Sequence, residues 1–222
     1  MERMFDGFGI EMDKEITMDI VKFLTKKGVL RHNCRVRYYI DIGSNFSTDG
    51  DDCRKYLDII RIPRLFICED NLNSWIIKDM VDGIEKLYKF NLEEYAKENN
   101  LEYIESVALF CILHEAGHLA NSKRWYDRFG EFRLFVDEID YRWNISCRMG
   151  AVIDMFNNEI KDMDEFHKIN IEYRKLSLER IADKTAIKLM KKFKYELCDM
   201  IRGKMNIMTS NEYKNKNETE CY

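Results

Sequence analysis

The sequence predicts an α+β fold: a small β-sheet packed on a mostly helical domain that is built around one buried helix. Three observations predict it. Residues 35–42 (RVRYYIDI) and 56–68 (YLDIIRIPRLFIC) are rich in β-branched and aromatic side chains, as strands are. From Trp75 onward the apolar residues recur with a period near 3.6, as in helices. Val107 to Leu113 is an unbroken apolar run inside such a pattern, so that helix is buried nearly all round.

Taken in order, residues 14–28 (KEITMDIVKFLTKKG) read as a first helix. Ile16, Ile20, Phe23 and Leu24 share a face, Lys26 and Lys27 suit the last turn, and Gly28 suits the cap. Between the two expected strands, 43–52 (GSNFSTDGDD) has turn chemistry, and its acids lack the spacing of a calcium-binding loop. Pro63, the only proline, belongs at a sheet edge or bulge. Residues 74–90 read as a helix with Ser74 or Asn73 as cap, and 100–122 as one long helix. Further helices are expected at 151–166 and 178–193. Residues 121–150 are the least legible and could form a lid. One domain over 1–203 is expected, followed by a polar, disordered tail over 204–222.

The composition narrows the function classes. Of 222 residues, 45% are hydrophobic, enough for a real core. Lys and Arg number 36 against 40 Asp and Glu, a net charge of −4, which leaves no basic footprint for nucleic acid. The seven cysteines form no CxxC pair, which fits free thiols in a reducing cytosol. No apolar run of about 18 residues is present to span a bilayer, and the first residues lack a signal-peptide pattern. A cytoplasmic protein that acts away from membranes is expected; the oligomeric state is left open.

The chemistry concentrates in 109–122, LFCILHEAGHLANS. Half of the four histidines stand here, His114 and His118, with Glu115 after the first. Positions four apart lie on nearly the same helical face, so two imidazoles can converge on one Zn²⁺ from adjacent turns. Glu115 falls beside them, within reach of a water at the metal and not of the metal itself. The bland reading is a pair of core histidines; against it, a buried helix must satisfy two histidines and a glutamate, which a metal does directly. Gly117 costs about 1 kcal/mol relative to Ala inside a helix, so something approaches closely there.

A catalytic zinc takes three protein ligands and an open position. In 177–193 (SLERIADKTAIKLMKKF), Ile181, Ala182, Thr185, Ala186, Leu189 and Met190 form a stripe at helical spacing. Glu179 lies at its edge in the first turn, with Ser177 as N-cap, and is the best third ligand; His167 is the alternative. Asp183, one turn on, is placed to accept a hydrogen bond from the outer nitrogen of a ligand histidine. The small Ala182 between them lets two helices approach.

HEAGH followed by ERIAD resembles the gluzincin metallopeptidases, and HEAGHLA with LERIADKTAIKLM is most similar to the small intracellular ImmA/IrrE type. The resemblance covers some thirty residues. It implies a zincin-like α+β fold, one zinc per chain held by His114, His118 and Glu179, and hydrolysis of peptide bonds with Glu115 as general base. Two departures stand beside it: the stretch from His118 to Glu179 is long for a compact member, and no proline follows Leu189-Met190. A protein or peptide is then the expected substrate. For the oxyanion, Tyr173, His167 and Tyr141 are candidates, with Tyr173 preferred because it lies just before the ligand helix. A strand around Ile59 to Ile67 could bind extended substrate, and Trp125, Tyr126, Phe129, Phe132 and Phe135 could line a pocket or a core. The competing reading is a zinc-containing binding or regulatory protein with weak or lost hydrolysis, and a metal-free helical domain is the third.

Overall fold

Helices carry this molecule. The computed structural model describes residues 9–11, 14–32, 34–39, 47–50, 58–63, 65–68, 72–129, 139–154 and 159–208. Its helices are α1 (Lys14–Lys26), α2 (Leu72–Tyr88), α3 (Leu92–Asn99), α4 (Tyr103–Phe129), α5 (Ile139–Val152), α6 (Met163–Lys175), α7 (Ser177–Lys192) and α8 (Lys194–Ile201). The strands are β1 (Gly9–Glu11), β2 (Arg35–Tyr39), β3 (Ser47–Gly50), β4 (Asp58–Pro63), β5 (Leu65–Cys68), β6 (Ile153–Asp154), β7 (Glu159–Ile160) and β8 (Asn206–Met208).

The expected α+β class is therefore corrected: the molecule is mostly helical and is not a helical domain resting on a β-sheet. No described strand exceeds 6 residues, while α4 alone has 27. The strands pair only as short ladders, β5-β1-β8, β2-β4-β3 and β6-β7. Among the described residues, Val36 and Ile60 are the buried apolar side chains that strands add to the main core; helices and their connections supply the rest. The physical reason lies in α4. A helix apolar all round needs cover on several sides, and α7, α3 and α8 provide much of it, with the β3–β4 ladder alongside. Phe110, Leu109, Ile112 and Leu113 are wholly buried, each contributing roughly 1.5–3 kcal/mol.

Local signals explain several boundaries. α1 stops where Gly28 takes φ +74°, a left-handed turn that favours glycine. Ile16, Ile20 and Leu24 are buried as their spacing requires, and Phe23 stacks edge-on against Phe193 at 5.2 Å. Asn91 caps α3 by accepting a hydrogen bond from the Glu94 amide, and Asp162 caps α6 through the Glu165 amide. α7 begins as expected, but Leu176 stands at its cap and no side chain caps it, so Ser177 is the first helical residue instead of the cap.

Other boundaries differ from expectation. The 56–68 stretch is split into β4 and β5, with Pro63 ending β4 beyond its pairing with β3. β3 occupies part of the expected turn over 43–52. α2 begins at Leu72, ahead of the expected caps. The helix expected over 151–166 does not form: α5 ends at Val152, β6 and β7 intervene, and α6 starts at Met163. Asp162, a strong N-cap within the expected span, restarts the helix there. β8 lies within the expected disordered tail, pairing antiparallel with β1, and residues 209–222 are outside the described set. Among the described residues no helix is long and apolar enough to cross a membrane.

Candidate metal centre

The site forms where α4 and α7 touch most closely. A Cβ on Gly117 would lie 2.8 Å from the Ala182 carbonyl oxygen and 2.9 Å from its Cα, closer than real Cβ contacts come. Glycine on α4 and alanine on α7 thus let the two backbones meet. That contact brings the α7 acids, Glu179 three residues before Ala182 and Asp183 one after, against the α4 histidines. His114, His118, Glu179 and Asp183 are all buried, the last at 0% exposure.

The trio expected from sequence is assembled. His114 Nε2 lies 3.2 Å from His118 Nε2 and 3.1 Å from Glu179 Oε2, and His118 Nε2 lies 3.6 Å from Glu179 Oε1. These residues form a group able to hold a metal ion. The spacings suit one: donors about 2.0–2.1 Å from a tetrahedral zinc sit about 3.3 Å from one another. Two imidazole nitrogens aimed at each other and at one carboxylate are also the donor types zinc prefers.

Asp183 holds the trio from behind. His114 Nδ1 meets Asp183 Oδ1 at 2.8 Å, which turns the opposite nitrogen toward Glu179 and His118. Arg174, from the last turn of α6, donates Nη1 to the same oxygen at 3.0 Å. Tyr88, the last residue of α2, stands beside Asp183; burial first, then that neighbouring charge, push its hydroxyl up to about 12. Sequence spacing reveals neither Arg174 nor Tyr88, because both arrive from helices whose approach is decided by tertiary packing.

The electrostatics follow from burial and charge. Burial opposes a charge on Glu179, yet the facing His118 and His114 hold its carboxyl well below the usual range. Burial alone would lower His114, but its bonds to Asp183 and Glu179 outweigh that and raise it to about 10. Glu115 is buried beside the trio, and desolvation pushes its carboxyl up against the pull of His114 and His118. Burial likewise opposes Arg174, while Asp183 and Glu179 favour its charge and raise its pKa. Arg174 and the protonated His114 thus face Asp183 and Glu179, while burial favours the neutral form of the Glu115 carboxyl.

The other candidates are not members of the trio. His167 is not in the trio: its Nδ1 pairs with Asp79 Oδ2 at 2.8 Å, and Asn170 bonds the same oxygen. Tyr173 packs, partly buried, on the second apolar cluster of Ile145, Val152, Phe166, Ile169 and Leu176. The side chains of Tyr141, Trp125, Tyr126 and Phe129, and Phe132 and Phe135 altogether, lie outside the described residues, as do most side chains of the strand segment expected to bind substrate, whose backbone forms β4 and β5. The same holds for the centre of the suggested lid, residues 130–138.

Comparison with protein-family models, curated proteins and solved structures finds no match. The gluzincin likeness thus rests on two short motifs and on the trio that they form.

Proposed function

We propose that this protein is a zinc-dependent peptidase. The observation that carries the reading is the convergence of His114, His118 and Glu179, with Glu115 buried next to them but outside the trio. A purely structural zinc site has four protein ligands, often thiolates, and no use for an adjacent carboxylate. Here the trio offers three ligands and leaves one position for water or substrate.

His114, His118 and Glu179 would hold the ion, and Asp183 fixes the tautomer and aim of His114. A zinc ion bound there would supply Lewis acidity, bringing the pKa of a coordinated water toward ~7 and polarising the carbonyl under attack. Glu115 accepts the proton of the attacking water and delivers it to the leaving nitrogen. Tyr173 is proposed as the oxyanion donor on its place at the end of α6, next to Arg174, just before α7. The substrate would be a protein or peptide, hydrolysed in the cytoplasm.

The test pairs Glu115→Gln with wild type on a peptide library read by mass spectrometry, with metal content measured on both. Wild type should cleave, and the variant should keep its zinc while losing roughly 10²–10⁴-fold in rate. Tyr173→Phe should keep zinc and lose turnover; full turnover would remove Tyr173 from the mechanism. A zinc-loaded wild type that cleaves nothing would replace the peptidase reading with a binding one.

A further inference from the structure

We propose that the outer face of α7 is a docking groove for an acidic protein segment bearing an apolar side chain. Lys184, Lys188, Lys191 and Lys192 line an open groove of about 530 Å³ together with Ile187 and Tyr88. All four lysines are exposed, and among the described residues none forms an ion pair with a carboxylate. Lys191 and Lys192 instead lie over the Phe90 and Phe193 rings, at 5.4 and 4.8 Å.

The fold does not account for this arrangement. Lys188 stands four residues from Lys184 and Lys192 and three from Lys191, and like charges at that spacing destabilise a helix. Lys191 and Lys192 suit the negative end of the helix dipole, but Lys184 and Lys188 lie too far from it. The chain as a whole is acidic, at −4, so this face has the sign opposite to the rest of the molecule.

Charge and shape together select the occupant. The lysine ammoniums ask for carboxylates at the rim, while lysine stems, Ile187 and the Tyr88 ring offer apolar walls to a side chain between them. The groove is shallow and runs along a single helix, a span that one short peptide segment covers. A long nucleic acid would gain at these lysines but find no net positive charge in a chain of −4 overall. The inference stands apart from the metal: it needs neither zinc nor hydrolysis.

Fluorescence anisotropy tests it on the full chain. The probe is a short fluorescein-labelled peptide with glutamates flanking a Leu-Phe pair, and its control carries glutamine for every glutamate. The acidic peptide should bind, weaken as salt rises, and bind at least about tenfold more tightly than the control. Lys184→Glu with Lys188→Glu should weaken it by about tenfold or more, and Lys184→Gln with Lys188→Gln by less, with unchanged melting temperatures. Equal binding of both peptides, or binding indifferent to both double variants, would overturn the proposal. So would tighter binding to phosphatidylserine vesicles or to a single-stranded oligonucleotide than to the peptide. Self-association of the chain that the charge-reversed variant abolishes would assign the face to a second copy instead.

Discussion

His114 is held from two sides, by Asp183 at 2.8 Å and by Glu179 at 3.1 Å, and both partners favour its protonated form. A proton and a metal ion therefore compete for one imidazole. Its pKa is raised from 6.5 to about 10, so in the metal-free protein this group's stabilisation is full below 6.5 and lost as pH rises through 10. Glu179 has the opposite sign: its pKa is depressed, so its stabilisation is present above 4.5 and lost as pH falls below. Zinc must displace the His114 proton, so zinc affinity should rise between pH 6.5 and 8.5, by about tenfold per unit for one proton released. Competition with a chromophoric chelator measures this slope; a flat profile would mean that His114 is not a ligand. Among residues, those related by fixed helical spacing were the legible ones. His114 and His118, and Glu179 and Asp183, are each one turn apart on a single helix, so their shared faces follow from the period alone. Arg174 and Tyr88 meet Asp183 across helix boundaries, and no spacing encodes that.

At the scale of elements, the contact of α4 with α7 is what makes the site. Gly117→Ala would gain about 1 kcal/mol of helix propensity but force a methyl into the Ala182 backbone, an overpacking that costs about 1–3 kcal/mol. The net should be a loss of stability, because the atoms met are backbone and cannot swing aside. The effect on zinc should be larger, because parting the helices moves Glu179 and Asp183 away from His114 and His118. Thermal melts with zinc titration read both: a lowered metal-free melt and a weaker metal site are expected, and undiminished affinity would contradict the close-approach account. Two small residues were visible in the sequence as the sign of this contact, and the structure brings them together. The weaker elements were not visible. A run of apolar and aromatic residues over 56–68 reads as one strand, but Pro63 withholds a backbone donor and the ladder breaks after it. Nor does periodicity reveal the break between α5 and α6, since the residues after Val152 continue an apolar pattern while Asp162 starts a new helix.

At the scale of the molecule, helices enclose a charge-bearing helix, and that choice ties metal to stability. Burying Glu179 and Asp183 opposes folding unless their charge is matched; Arg174 and the protonated His114 match it in the metal-free protein, and a metal held in place of that proton would take over the role. Zinc that binds only the folded chain should stabilise it, by about 2.7 kcal/mol at a hundred times its dissociation constant. Sequence foresaw the helical half of the fold because α7 has a strong period and α4 a long unbroken apolar run. It overestimated the sheet because β-propensity depends on the neighbours a strand finds, and here the neighbours of α4 are chiefly helices. The central claim is that His114, His118 and Glu179 hold one metal ion. Elemental mass spectrometry on the native chain and on Glu179→Ala, both purified without chelator, tests it most directly. About one zinc per native chain and far less in the variant is the predicted result. Equal zinc in both would contradict the ligand set, and no zinc in either after zinc is added back would contradict the metal centre itself.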